Sequence, residues 1–208
     1  DDGESRAAYD REGLQQMRKA GNTTPEAVEL LQKGEVPISA WNLLAAQALV
    51  DDPAELFGNL RRYREKYLQE KEIQQTVTGE VPALAEVFEL WEQLDQQNFA
   101  EDYRTMLQDT AEEAETMSLE RADEHLDVKQ LQLVHKQLRL AGSLQEKQEY
   151  FLPMYLGEQL AGVHLTLQQG AGAVGAVEIR VNAGDMELEA YLQVKGDTID
   201  GYLVGNTP

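Results

Sequence analysis

The chain has 208 residues, with 38 acids against 18 Lys and Arg, no cysteine and a formal charge of −20. That charge repels phosphate backbones and anionic lipid, so it argues against nucleic-acid and membrane-surface partners. The lack of cysteine removes disulfides and thiolate metal sites. An apolar fraction of 42% supports a folded core, but no apolar run approaches the roughly 20 residues that span a bilayer.

The first 148 residues read as helices. Residues 1–5 are polar, and a first helix is expected over Arg6–Lys19, stopping at Gly21-Asn22. Thr24-Pro25-Glu26 then supplies a cap, a proline in the first turn and an early acid. The short helix they start carries Val28, Leu30 and Leu31 and ends at Gly34. Ser39 caps the next one, with Trp41, Leu44, Ala45, Ala48 and Leu49 expected to face inward. Asp52-Pro53-Ala54-Glu55 starts a longer helix through Leu56, Leu60, Tyr63 and Tyr67. Around it lie Arg61, Arg62, Arg64 and Lys66, read as salt-bridge partners on a solvated helix face.

Thr78-Gly79-Glu80-Val81-Pro82 breaks that pattern, and Leu84, Val87, Phe88, Trp91 and Leu94 recur at helical spacing beyond it. Gly34-Glu35-Val36-Pro37 and Gly79-Glu80-Val81-Pro82 each precede a tryptophan helix, which hints at a duplicated unit. A further helix is expected from Glu101 to about Thr116. The last, Val128–Leu140, is expected to end at Ala141-Gly142-Ser143. Residues 109–127 hold eight acids and one base, Arg121. Their spacing lacks calcium-loop order, so they read as solvated helix surface.

From Tyr150 the hydrophobic period changes to two. Tyr150–Leu156 is apolar with Pro153 inside it, which suggests an edge strand or a strand entry. Val163, Leu165 and Leu167 form one face of a second strand, and Val177, Ile179 and Val181 one face of a third. Met186, Leu188, Ala190, Leu192 and Val194 alternate along a fourth, and Lys195-Gly196-Asp197 turns into a fifth, Ile199–Val204. The fold class is therefore α+β. A helical domain (1–148) feeds an antiparallel meander of about five strands (149–208) with one apolar face to be covered. The chain opens on Asp1-Asp2-Gly3 and stops just after a strand, so it reads as an excised fragment with its sheet domain truncated at the C-terminal end.

No residue pattern nominates catalysis, a cofactor or a metal. Gly170-Ala171-Gly172-Ala173-Val174-Gly175 matches the dinucleotide fingerprint as a string. The fingerprint needs a helix N-terminus directly after it, whereas Val177–Val181 alternates as a strand, so the string reads as a hairpin loop. His125 and His135 lack metal spacing and His164 falls on its strand's outward face; all three read as surface or boundary residues. Trp41 and Trp91 read as core anchors.

Leu188-Glu189-Ala190-Tyr191-Leu192-Gln193-Val194-Lys195-Gly196-Asp197-Thr198-Ile199-Asp200-Gly201-Tyr202-Leu203-Val204 resembles the core hairpin of the C-terminal domain of bacterial flagellar hook-length control proteins. Upstream, Tyr150-Phe151-Leu152-Pro153-Met154 and Leu165-Thr166-Leu167 resemble uncharacterised clostridial-type relatives with a helical region before such a hairpin. The family's strand start carries Gly where this chain has Glu187 or Glu189, and its distal helical segment would lie beyond Pro208. The resemblance implies a non-enzymatic protein–protein interaction module, cytoplasmic and exported through the flagellar secretion system. Its partner would be a component of the export machinery. The alternative is a cell-surface interaction or adhesion domain that uses an exposed strand edge. A third possibility is an acidic-cleft enzyme or metal binder.

Overall fold

A computed structural model describes residues 21, 23–78, 98–120, 125–170 and 174–206. The helix expected over 6–19, the Trp91 helix with the second Gly-Glu-Val-Pro element, and the centre of the glycine-rich loop (171–173) lie outside the described residues. Among the described residues, five helices precede a five-stranded antiparallel sheet: α1 Pro25–Lys33, α2 Ala40–Asp51, α3 Pro53–Thr78, α4 Phe99–Glu120 and α5 His125–Gln145. The strands are β1 Glu149–Leu156, β2 Gln159–Gln169, β3 Val174–Ala183, β4 Met186–Lys195 and β5 Thr198–Asn206, paired in sequence order as a meander. The α+β reading holds.

The helix starts obey local chemistry. Ser39 Oγ accepts from the Asn42 N–H at 3.1 Å, and Asp52 Oδ1 accepts from the Ala54 N–H at 2.9 Å. The inward face of α2 differs from expectation: Leu43, Ala45, Ala46, Gln47 and Leu49 are buried, while Trp41 and Leu44 are 40% and 42% exposed. That helix is apolar nearly all the way round, so periodicity alone does not choose its core side. Helix α5 also runs past the expected stop at Gly142. Ala141 and Leu144 are buried on the core face, and Ser143 Oγ bonds the Arg139 carbonyl. Tertiary burial outweighs the modest helix penalty of one glycine.

The basic cluster on α3 divides. Arg61 pairs with Glu65 four residues on, as expected of a solvated face. Arg64 is instead buried and makes two bonds to Glu113 of α4, at 2.9 and 2.6 Å.

One core cluster draws on α1 to α5 and also on Tyr150 and Phe151 of β1, with Leu160, Leu165 and Leu167 of β2 packed against it. The sheet meets the helices in an unexpected way. Strand register places Phe151, His164, Arg180 and Glu189 on one face, and Leu152, Val163, Val181 and Leu188 on the other. Helix α3 docks on the first of these, the face that alternation assigns to solvent. Gly162 makes this possible: a Cβ there would fall 2.3 Å from the Ala54 nitrogen and 2.7 Å from the Pro53 carbonyl carbon. The apolar face forms its own small cluster of Ala161, Val163, Val181 and Ala183, with Leu152, Ile179, Met186 and Leu188 against it. Among the described residues that cluster contains no helical side chain. Toward Tyr150 the face is closed by α4, whose Phe99 and Tyr103 rings lie 5.2 and 5.0 Å from the Tyr150 ring.

Candidate functional site

Two places combine accessibility with defined chemistry. The first is a polar cleft of about 660 Å³ between α1, α2 and the docked face of the sheet. Glu26, Glu29 and Lys33 of α1 and Asp51 of α2 line one wall; Glu149, His164, Arg180, Glu187 and Glu189 line the other. At its base Glu149 is buried, with one carboxylate oxygen bonded to Lys33 Nζ and the other 3.0 Å from His164 Nε2. Burial pushes the Glu149 carboxyl up, but the bonds from His164 and Lys33 outweigh it and hold the group below the usual carboxylate range. The His164 ring stacks on Phe151 at 4.4 Å and an interplanar angle of 7°.

His164 therefore does not face solvent as the alternation of its strand suggests. Its face is the one on which α3 docks. Arg180, beside it across the β2–β3 pair, binds Glu178 at 3.1 Å and Glu189 at 3.2 Å. The cations of the cleft are thus held by its own carboxylates. His135 on α5 is a boundary residue, as expected. Burial lowers its pKa, and its Nε2 stands 3.7 Å from Glu115, beyond hydrogen-bonding range. Among the described residues no group of three or more His, Asp or Glu side chains is placed to hold a metal ion, and no helix is long and apolar enough to cross a membrane.

The second place is the outer strand of the sheet. All nine residues of β5 are exposed, and Ile199, Tyr202, Leu203 and Val204 are each 58–67% accessible. The hydrogen-bonding direction of each residue can be read from one contact. The Glu187 N–H reaches Asn206 Oδ1 at 2.6 Å, so Glu187 directs its backbone groups at β5. The β4–β5 register is unbroken from Glu187↔Asn206 to Lys195↔Thr198. In an antiparallel ladder the direction alternates, so Asp200, Tyr202 and Val204 point back at β4. Ile199, Gly201, Leu203 and Gly205 are left with N–H and C=O groups pointing away from the sheet. Tyr202 stacks on Tyr191 across the pair, ring centroids 5.6 Å apart.

The other edge of the sheet is capped at Phe151. Tyr103 of α4 receives the Phe151 N–H at 2.8 Å and donates its hydroxyl to the Phe151 carbonyl at 3.2 Å. The same direction puts Pro153 where its missing N–H would have pointed outward, so it costs β1 no ladder bond. Pro153 suggests an edge strand or a strand entry, and β1 is an outer strand of the sheet. No sequence signal points to Tyr103, which lies 48 residues upstream of its partner.

No family model matches the chain, and neither a curated protein nor a solved structure does.

Proposed function

We propose that the chain is a non-enzymatic protein–protein interaction module that takes an extended partner segment along the outer edge of β5. The observation that carries this reading is the row of outward backbone groups at Ile199, Gly201, Leu203 and Gly205, on a strand exposed over its whole length. Such a row is a template for a further strand: backbone bonds supply affinity and alternate side chains supply selectivity. The paired state of the cleft supports a non-enzymatic role, since Glu149 is occupied by Lys33 and His164, and Arg180 by two glutamates. Resemblance to hook-length control proteins supplies a setting, in which the module is exported through the flagellar secretion system and meets a component of its export machinery.

One variant tests the edge. Leu203→Pro deletes an outward N–H while leaving the β4–β5 ladder intact, so the variant folds but cannot accept a strand there. In a strain deleted for the gene, hook formation and swimming are expected to be lost. The parent chain, expressed in its natural frame, is expected to restore them, and Leu203→Pro to fail. Normal swimming in the deletion strain removes the flagellar setting and favours the cell-surface alternative. Full complementation by Leu203→Pro removes the edge.

A further inference from the structure

Resting on that strand-addition reading, we infer that β5 pairs with β5 of a second copy of this chain, antiparallel, about a two-fold axis at Tyr202. Four features of β5 fit this register. The outward groups lie at 199, 201, 203 and 205, so a two-fold at 202 sets Ile199 against Gly205 of the second copy and Gly201 against Leu203. Every outward N–H and C=O of the strand then has a partner. Side-chain sizes complement one another as well. Each large apolar residue, Ile199 and Leu203, falls opposite a glycine, and Leu192 already leans over Gly201, its Cδ2 within 2.6 Å of where a Cβ would stand.

Charge points the same way. Asp200 is the one side chain on β5 that is charged at neutral pH, and the two-fold sets it against Val204 of the second copy. The −20 charge of the chain is therefore kept off the seam, and like charges do not meet directly across it. Tyrosines complete the row, with Tyr191 and Tyr202 of one copy continuing into Tyr202 and Tyr191 of the other on one face of a ten-stranded sheet. A basic partner segment is the rival occupant. The two differ in sign toward salt: screening weakens attraction of a basic strand but relieves repulsion between two acidic chains.

A seam of nine residues per strand buries less than the roughly 800 Å² per partner of a standard interface, so the dimer dissociates on dilution. Sedimentation of the chain over a concentration series is expected to show a monomer–dimer equilibrium that shifts toward dimer with added salt. Leu203→Pro is expected to stay monomeric with an unchanged melting curve. The register is tested separately, because the chain has no cysteine. Tyr202 sits on the two-fold at a non-hydrogen-bonded position, where paired Cβ atoms suit a disulfide. Tyr202→Cys is expected to form a disulfide dimer roughly tenfold faster than Asp200→Cys. Asp200→Cys mixed with Val204→Cys is expected to cross-link as a heterodimer. A chain that stays monomeric at every concentration, or a dimer indifferent to Leu203→Pro, overturns the inference. A monomeric chain whose Leu203→Pro variant still fails to complement leaves strand addition standing with a different partner.

Discussion

Burying Glu149 at the foot of the cleft would leave a desolvated carboxylate unpaired if Lys33 and His164 did not both reach it. Because those bonds outweigh burial, the carboxyl titrates lower in the folded chain than in the unfolded one. The stabilisation is full above the unfolded value and is lost as pH falls through the folded one. Glu149→Gln is expected to cost about 1–3 kcal/mol at neutral pH. It should also flatten the acid limb of a plot of melting temperature against pH, and an acid limb as steep as the parent's would disprove this role. The Arg64–Glu113 pair behaves differently. Arg64 Nη1 has no hydrogen-bond partner, so removing the acid leaves a buried guanidinium. Glu113→Ala should cost about 3 kcal/mol in urea unfolding, and adding Arg64→Met should recover much of it.

At the scale of elements, the contact between α3 and β2 depends on the absence of one side chain. Gly162→Ala places a Cβ into the backbone of Pro53 and Ala54, and neither can rotate away as a flexible side chain would. The expected loss is at least about 2 kcal/mol, read by chemical denaturation, with α3 displaced from the sheet. This contact explains where sequence reading stopped. Strand order, turns, the Ser39 and Asp52 caps and the Pro153 edge were legible because each is local: a period, a cap or a ring without an N–H. The face that docks was not. Alternation separates apolar from polar positions, and the sheet seats α3 on the face bearing Phe151, Gly162 and His164, while the other face meets the helices only toward Tyr150, Leu165 and Leu167. Glycine there reads as weakness in a strand, and its use as a seat for a helix exists only once the two backbones meet. The same limit hid the Lys33–Glu149 bond, which joins residues 116 positions apart.

For the molecule as a whole, helices and sheet share side chains as well as a contact. Tyr150 and Phe151 lie in the cluster that also holds Leu31, Leu43, Leu60, Leu107 and Leu138. Phe151→Ala is expected to cost about 3–5 kcal/mol and to lower the melting of helix and strand signals together. Separate transitions, with only the strand signal shifted, would show that the two parts unfold independently. The outer sheet is a different matter. Strands β4 and β5 reach away from that cluster, and their amides should exchange with solvent sooner than those of β1 and β2.

The two hydrogen bonds of Tyr103 bear on what kind of assembly this sheet can enter. A sheet with two open sides can recruit a neighbour on each, and repetition of that step has no natural end. Here a single hydroxyl, acting as acceptor to one backbone group of Phe151 and donor to the other, takes the middle of one side. Two such molecules joined through β5 present β1 as each outer strand, with its Phe151 groups already taken. Tyr103→Phe would remove both bonds while its ring stays buried, leaving the Phe151 N–H and C=O unpaired, so its consequence extends from the stability of one chain to how firmly that edge is withheld from a neighbour.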